Sequence, residues 1–176
     1  MTGSFDVSTV EETWEVAAKL AATLKPGDVI CLEGDLGAGK TTFTQGLAVA
    51  LGVSGRVTSP TFCIVQEHLA EGSVPSGGGS VPSQKGTVPM PSGGSVPRRV
   101  PLLVHMDLYR LAGEEEVEAI GWEDYLSRGA VIAVEWPERA GSLIPNDAIK
   151  VKIEYSGEES RKITISTAEK CQESQG

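Results

Sequence analysis

Gly34-Asp35-Leu36-Gly37-Ala38-Gly39-Lys40-Thr41 follows the spacing G-x-x-x-x-G-K-[ST], in which each residue type has a chemical reason. Gly34, Gly37 and Gly39 lack side chains, so backbone N–H groups can close around phosphate oxygens. Lys40 is placed to bridge β- and γ-phosphates as a point charge, and the Thr41 hydroxyl to ligate Mg²⁺. Thr42 is the next hydroxyl in reach. Two acids complete the candidate set. Asp107 ends the apolar run Leu102-Leu103-Val104-His105-Met106, and Glu135 ends Ala130-Val131-Ile132-Ala133-Val134. Acids at strand tips beside a phosphate loop are placed to hold Mg²⁺ or to orient an attacking water. Spacing assigns them a shared metal site without dividing the two roles. His105 faces the same side of its strand as Asp107, with no partner in the local pattern. Trp136 is open to two readings, a ring that stacks on a ligand or closes the pocket, or a packed aromatic.

These residues require particular elements around them. Val29-Ile30-Cys31-Leu32 follows the turn signal Lys25-Pro26-Gly27-Asp28 and reads as a strand buried on both faces. After the loop, Phe43, Leu47, Ala50 and Leu51 recur at helical spacing and Gly52 is placed to cap them. The loop therefore opens a helix whose N-terminus adds its positive end to the anion site. Ser8 to Leu24 is predicted as the first helix, with a Ser8/Glu11 capping box and an apolar stripe of Val10, Trp14, Ala17, Ala21 and Leu24. Trp14 is then a core anchor. Thr58-Ser59-Pro60-Thr61 is either a turn or a switch-like loop whose hydroxyls meet the metal or the γ-phosphate. Cys63 to His68 reads as a strand. Glu114 to Ser127 reads as two short helices broken near Gly121, with Val117, Ile120, Trp122, Tyr125 and Leu126 inward. Ile149 to Tyr155 and Lys162 to Ser166 alternate apolar and polar residues around a Gly157 turn, as an edge hairpin with one wet face does. The expected fold is α/β: a P-loop NTPase-like three-layer sandwich, with a mostly parallel sheet and an antiparallel edge hairpin.

A chain of 176 residues fits a single domain spanning 1–176. Within it, 13 of the 31 residues from Glu71 to Pro101 are Gly or Pro, too many for that stretch to build a core, and a degenerate Gly-Ser-Val-Pro unit recurs there. A disordered low-complexity insertion at 71–101 is expected, with Arg98-Arg99 as a solvated pair. Cys31, Cys63 and Cys171 are expected as reduced structural thiols. No apolar run reaches membrane-spanning length and the N-terminus has no basic-then-apolar leader, so the expected location is the cytoplasm. A formal net charge of −9 argues against a chain that grips a polynucleotide by itself.

In order along the chain, the phosphate loop, Thr58-Ser59-Pro60-Thr61-Phe62, His105-Met106-Asp107-Leu108-Tyr109-Arg110 and Glu135-Trp136-Pro137-Glu138-Arg139 together resemble the bacterial TsaE family. These are small ATPases of tRNA N6-threonylcarbamoyladenosine (t6A) biosynthesis. The resemblance implies binding of ATP and Mg²⁺ and slow hydrolysis by the protein alone. It also implies action with the TsaB and TsaD proteins, which place the threonylcarbamoyl group on adenosine 37 of tRNAs reading codons that begin with A. By the same resemblance, Thr41 and Glu135 are the magnesium ligands and Asp107 the acid needed for hydrolysis, with Lys40 beside it. Asp35, Leu36, Gly37, Ala38, Gly39, Lys40, Thr41 and Thr42 hold the nucleotide. Trp136 stands at the entrance, and Thr9 and Val10 lie near the adenine. Contact with tRNA is expected to be indirect.

Three alternatives have their own signatures. A small-molecule P-loop kinase needs a second substrate pocket and an arginine-bearing lid, and a regulatory GTPase normally carries an Asn-Lys-x-Asp motif, which does not occur here. A nucleotide-gated binding module would hydrolyse ATP only incidentally.

Overall fold

A computed structural model of the chain describes residues 1–53, 57–58, 64–69 and 103–167. The expected insertion at 71–101, residues 59–61 of the polar segment, Cys63 and Cys171 lie outside the described residues. Among the described residues, seven strands form one sheet, interleaved with four helices: β1 (Gly3–Val7), α1 (Val10–Ala21), β2 (Val29–Glu33), α2 (Lys40–Ala50), β3 (Val65–His68), β4 (Leu103–Asp107), α3 (Glu114–Ala119), α4 (Trp122–Ser127), β5 (Val131–Glu135), β6 (Ile149–Tyr155) and β7 (Arg161–Thr167). Two 3-10 turns, Pro137–Arg139 and Gly141–Leu143, join β5 to β6.

The strand order is β1-β7-β6-β2-β5-β4-β3. The four central strands, β6, β2, β5 and β4, run parallel, while β3 and the β7-β1 flank pair antiparallel. The hairpin predicted at the edge is formed by β6 and β7, but it is not outermost, because β1 pairs along the free side of β7. That first strand was not foreseen: Gly3-Ser4-Phe5-Asp6-Val7 offers just two large apolar residues, and pairing through backbone groups needs no more.

Strand alternation divides the core into two layers. Ile30 and Leu32 of β2 join α1, α2, Leu103, Val131 and Ala133 on one face. Val29 and Cys31 join Val104, Met106, Ile132, Val134, Val117 and Trp122 on the other. Burial on both faces explains why β2 reads as an unbroken apolar run. The same period places His105 and Asp107 on the Leu103 side of β4, and Glu135 on the Ala133 side of β5. That is the side of α1 and α2.

Helix α1 is shorter than expected and turned relative to the predicted stripe. Its capping box is Thr9/Glu12, with the Glu12 amide donating to Thr9 Oγ1 at 3.1 Å and Glu12 Oε2 accepting from the Thr9 and Ser8 amides at 3.3 and 2.6 Å. Thr13, Val16, Ala17, Leu20 and Ala21 face inward, an arc about 50° from the expected stripe at 100° of rotation per residue; Ala17 and Ala21 are common to both, whereas Trp14, expected as a core anchor, is 37% exposed with Val10 beside it in solvent. Both Ser8 and Thr9 have an acid three positions on, so the sequence carried two capping boxes; burial of Leu20 and Val16 selects the second.

The second helix ends as predicted. Gly52 has φ +72°, its amide donates to Val49 O at 3.1 Å and that of Val53 to Ala48 O at 2.9 Å, which is a Schellman cap. Gly46 allows α1 and α2 to approach closely, because a Cβ there would stand 2.9 Å from Ala17 Cβ and from Trp14 Cα. On the opposite face, α3 and α4 are broken at Gly121, φ +92°, with Val117 and Trp122 buried. Among the described residues, no helix is long and apolar enough to cross a membrane.

Candidate functional site

The phosphate loop connects β2 to α2 at the C-terminal edge of the parallel strands, where open α/β sheets bind ligands. Its shape is fixed by backbone that side chains would spoil. Gly34, Gly37 and Gly39 have φ of +144°, +78° and +111°. A Cβ on Gly34 would also be driven into the carbonyl oxygen of Ile153 on β6. Gly39 is the N-cap of α2 and supplies no side-chain acceptor to the helix's first amides. Those donors and the helix dipole remain directed at the loop. On the hairpin side, the Tyr155 hydroxyl donates to Leu36 O at 3.4 Å, tying β6 to the loop tip.

Lys40 lies inside this cradle, 7% exposed. Its Nζ donates to Gly34 O at 2.7 Å and Asp35 O at 3.0 Å and stands 3.9 Å from Glu135 Oε2. The ammonium is thus pinned by two carbonyls of its own loop, with one donor hydrogen left to face the acid side.

That side comes from β4 and β5. Asp107 and Glu135 are register partners on adjacent parallel strands, at 8% and 5% exposure. Asp107 Oδ1 accepts from the Tyr109 amide at 3.0 Å, and the Leu108 amide donates to Glu135 O at 3.1 Å, so the turn after β4 is closed onto both acids. His105, fully buried, makes a 2.9 Å hydrogen bond between its Nε2 and Glu135 Oε1. The missing partner of His105 lies 30 residues along the chain, where no local pattern could show it. Beyond Glu135 the chain turns through Trp136, φ +59° and ψ +51°, a left-handed conformation that costs a non-glycine residue about 1–3 kcal/mol. The turn sets the Trp136 ring 4.9 Å from that of Tyr109 and 6.0 Å from Lys40 Nζ. Trp136 both lines the cavity and packs against the core layer of Val134 and Ala140, so the position accommodates a pocket-lining ring and a packed aromatic alike.

A cavity of about 560 Å³ brings these pieces together, lined by Leu36, Gly37, Gly39, Lys40, Thr41, Thr42, Asp107, Tyr109, Glu135 and Trp136. A second cavity, about 190 Å³, opens on the other side of the loop between Val7-Ser8-Thr9-Val10, Thr13, Ala38 and Arg161, and shares Gly37, Gly39 and Thr42 with the first. Of the eight loop residues expected to hold nucleotide, Asp35 alone lines neither; its carbonyl instead holds Lys40. Tyr109 and Arg161 line the cavities without having been assigned a role; Tyr109 falls inside the His105 to Arg110 motif, whereas nothing in the local sequence marks Arg161.

The donor set fits a hard divalent cation. Thr41, Asp107 and Glu135 offer only oxygen, and two nearly buried carboxylates line the cavity with a single ammonium, an excess of negative charge that such an ion would balance. Among the described residues there is no cluster of three or more His, Cys, Asp or Glu able to hold a metal alone.

Comparison with known proteins identifies the family. The sequence profile of the family described as threonylcarbamoyl adenosine biosynthesis protein TsaE matches residues 7–75 and 95–163. The chain is 37% identical over 155 residues to the tRNA threonylcarbamoyladenosine biosynthesis protein TsaE of Bacillus subtilis, covering 88% of this chain and 79% of that one. To the protein of that name from Streptomyces coelicolor it is 36% identical over 156 residues, covering 86% and 87%. The crystal structure of Bacillus subtilis YdiB superposes with a TM-score of 0.64 at 31% identity, over 95% of this chain and 86% of that one. The breadth of these matches, on the sequence motifs and the fold alike, establishes that the chain belongs to the TsaE family.

Proposed function

We propose that this protein is a Mg²⁺-dependent ATP hydrolase of tRNA threonylcarbamoyladenosine biosynthesis. In this reading it couples ATP turnover in the cytoplasm to the working cycle of the TsaB and TsaD proteins, which modify adenosine 37 of tRNAs reading ANN codons. Membership of the TsaE family supports the pathway. The observation that carries the chemistry is the convergence of the loop, Lys40, Thr41 and both strand-tip acids on one cavity.

The loop amides and the α2 N-terminus bind the triphosphate, and Lys40 turns its free donor toward the β- and γ-phosphates. Thr41 and Glu135 hold Mg²⁺, which when bound neutralises charge on the phosphate oxygens. Asp107, fixed by the Tyr109 amide, accepts a hydrogen bond from the attacking water and orients it in line with the γ-phosphate. Trp136 and Tyr109 shield the cavity from bulk water. The base sits in the smaller cavity beside Thr9 and Val10. No side chain forms a covalent intermediate, so positioning and electrostatics supply the acceleration. Leu36 is 92% exposed at the loop tip and Tyr109 is exposed at the cavity mouth. These apolar groups beside the nucleotide, on a chain of net charge −9, suit a partner protein better than a nucleic acid.

Reconstituted tRNA threonylcarbamoylation tests this reading. Lys40→Ala and Asp107→Ala are both expected to abolish multiple-turnover modification. Wild-type turnover by Asp107→Ala would overturn the hydrolytic role, and a partner-independent phosphotransfer to a metabolite would favour the kinase.

A further inference from the structure

His105 is fully buried, yet imidazole is a costly choice for a buried strand position unless its nitrogens are used. A leucine or valine would pack there, and the β4-β5 ladder already joins the two strands over five register pairs. One nitrogen is used and the other is not. Nε2 stands 2.9 Å from Glu135 Oε1, while Nδ1 is buried without a hydrogen-bond partner among the described residues. A carboxylate only accepts, so Nε2 carries the proton and donates. This leaves Glu135 with one oxygen committed to His105 and the other, Oε2, on the side of Lys40 at 3.9 Å. Glu135 is the last residue of β5, next to a turn through a left-handed tryptophan. A carboxylate there has freedom about χ2 and χ3 that the strand does not remove.

We propose that His105 is a positioning residue for Glu135: it holds Oε1 and thereby presents Oε2, in one orientation, to a divalent cation bound between Glu135 and Thr41. The inference rests on the metal reading given above. Outer partners of this kind orient metal-binding carboxylates and raise affinity by restricting the ligand before the ion arrives. The hydrogen bond needs a donor at the distance of Nε2. Glutamine places its amide nitrogen there, whereas asparagine, one methylene shorter, places it near the unused Nδ1 position.

The test is Mn²⁺ uptake by the full chain saturated with a non-hydrolysable ATP analogue, followed by loss of the free Mn²⁺ signal in electron paramagnetic resonance. Thermal melting and metal-free nucleotide affinity serve as controls. His105→Leu and His105→Asn are expected to weaken Mn²⁺ binding by about 10- to 100-fold, the range for lost outer-sphere partners, with metal-free nucleotide affinity unchanged. His105→Gln is expected to stay close to wild type. If the leucine variant does not fold, asparagine against glutamine decides. Wild-type uptake by the leucine or asparagine variant overturns the inference alone, as does a glutamine variant as weak as asparagine. A wild type that takes up no Mn²⁺ with nucleotide overturns the metal reading and this inference with it.

Discussion

The two halves of the candidate site are built in opposite ways. The loop half is one uninterrupted stretch, Gly34 to Thr42, whose conformation follows from three glycines at positive φ and the helix they start. The acid half is assembled from Asp107 and Glu135, on strands whose pairing is decided by the whole sheet: β5 lies between β2 and β4, although it follows both in the chain. Within the proposed mechanism, the consequence is a division of labour. The loop supplies donors for a ligand wherever its backbone is intact. Cleavage needs two groups at a fixed distance from that ligand, which only the sheet can guarantee.

The largest expected effect lies on the acid half. Asp107→Asn keeps an oxygen for the Tyr109 amide but not the carboxylate. Single-turnover hydrolysis should fall by about 10²–10⁴, as for lost acid–base groups, with nucleotide affinity nearly unchanged by calorimetry. On the loop half, Lys40→Ala removes charge-assisted hydrogen bonds of about 1.5–3 kcal/mol, so ATP affinity should fall by about 10- to 100-fold. If Asp107→Asn weakened binding instead, or Lys40→Ala left it intact, the division would fail. Smaller still is the effect of backbone strain. Gly39→Ala meets nothing within 4 Å, so its φ of +111° alone should cost about 1–2 kcal/mol in urea unfolding. Gly34→Ala should cost more, since its Cβ also strikes Ile153 O; equal costs would show that β6 does not shape the loop.

The smallest effect separates the halves by pH. His68, on β3 beside the acid half, has its pKa lowered below the usual 6.5, first by burial and then by the proximity of His105. A histidine depressed in the folded state binds its proton more readily when unfolded. Stability should therefore fall as pH drops through 6.5 and level off below the folded pKa. Urea midpoints at about pH 7.5 and about pH 5.5 measure this slope, and His68→Leu should flatten it. On the opposite face of β2, burial and then Glu33 push the Cys31 thiol up to about 11, consistent with a structural thiol.

What the residues disclosed, and what they hid, follows the same line. The phosphate loop, the β2 run, the Gly52 cap and the Gly121 break were legible because each is enforced within a few residues by sterics or hydrogen bonding. The face of α1 was legible only in part, at Ala17 and Ala21, because apolar residues lie on two overlapping stripes and only packing against α2 and the sheet selects between them. Trp14 was misplaced for that reason. Strand β1 escaped because its pairing is with β7, at the far end of the chain.

The sequence by itself determined that a glycine-rich turn of phosphate-loop spacing lies between a buried strand and a helix, and that two strands end in acids, since local spacing and alternation encode both. Only the tertiary structure decided that these acids are neighbours, that His105 holds Glu135, and that Lys40 stands beside Glu135. Those facts depend on strand order and register, which are set by the joint burial of residues distant in the chain and written in no single segment of it.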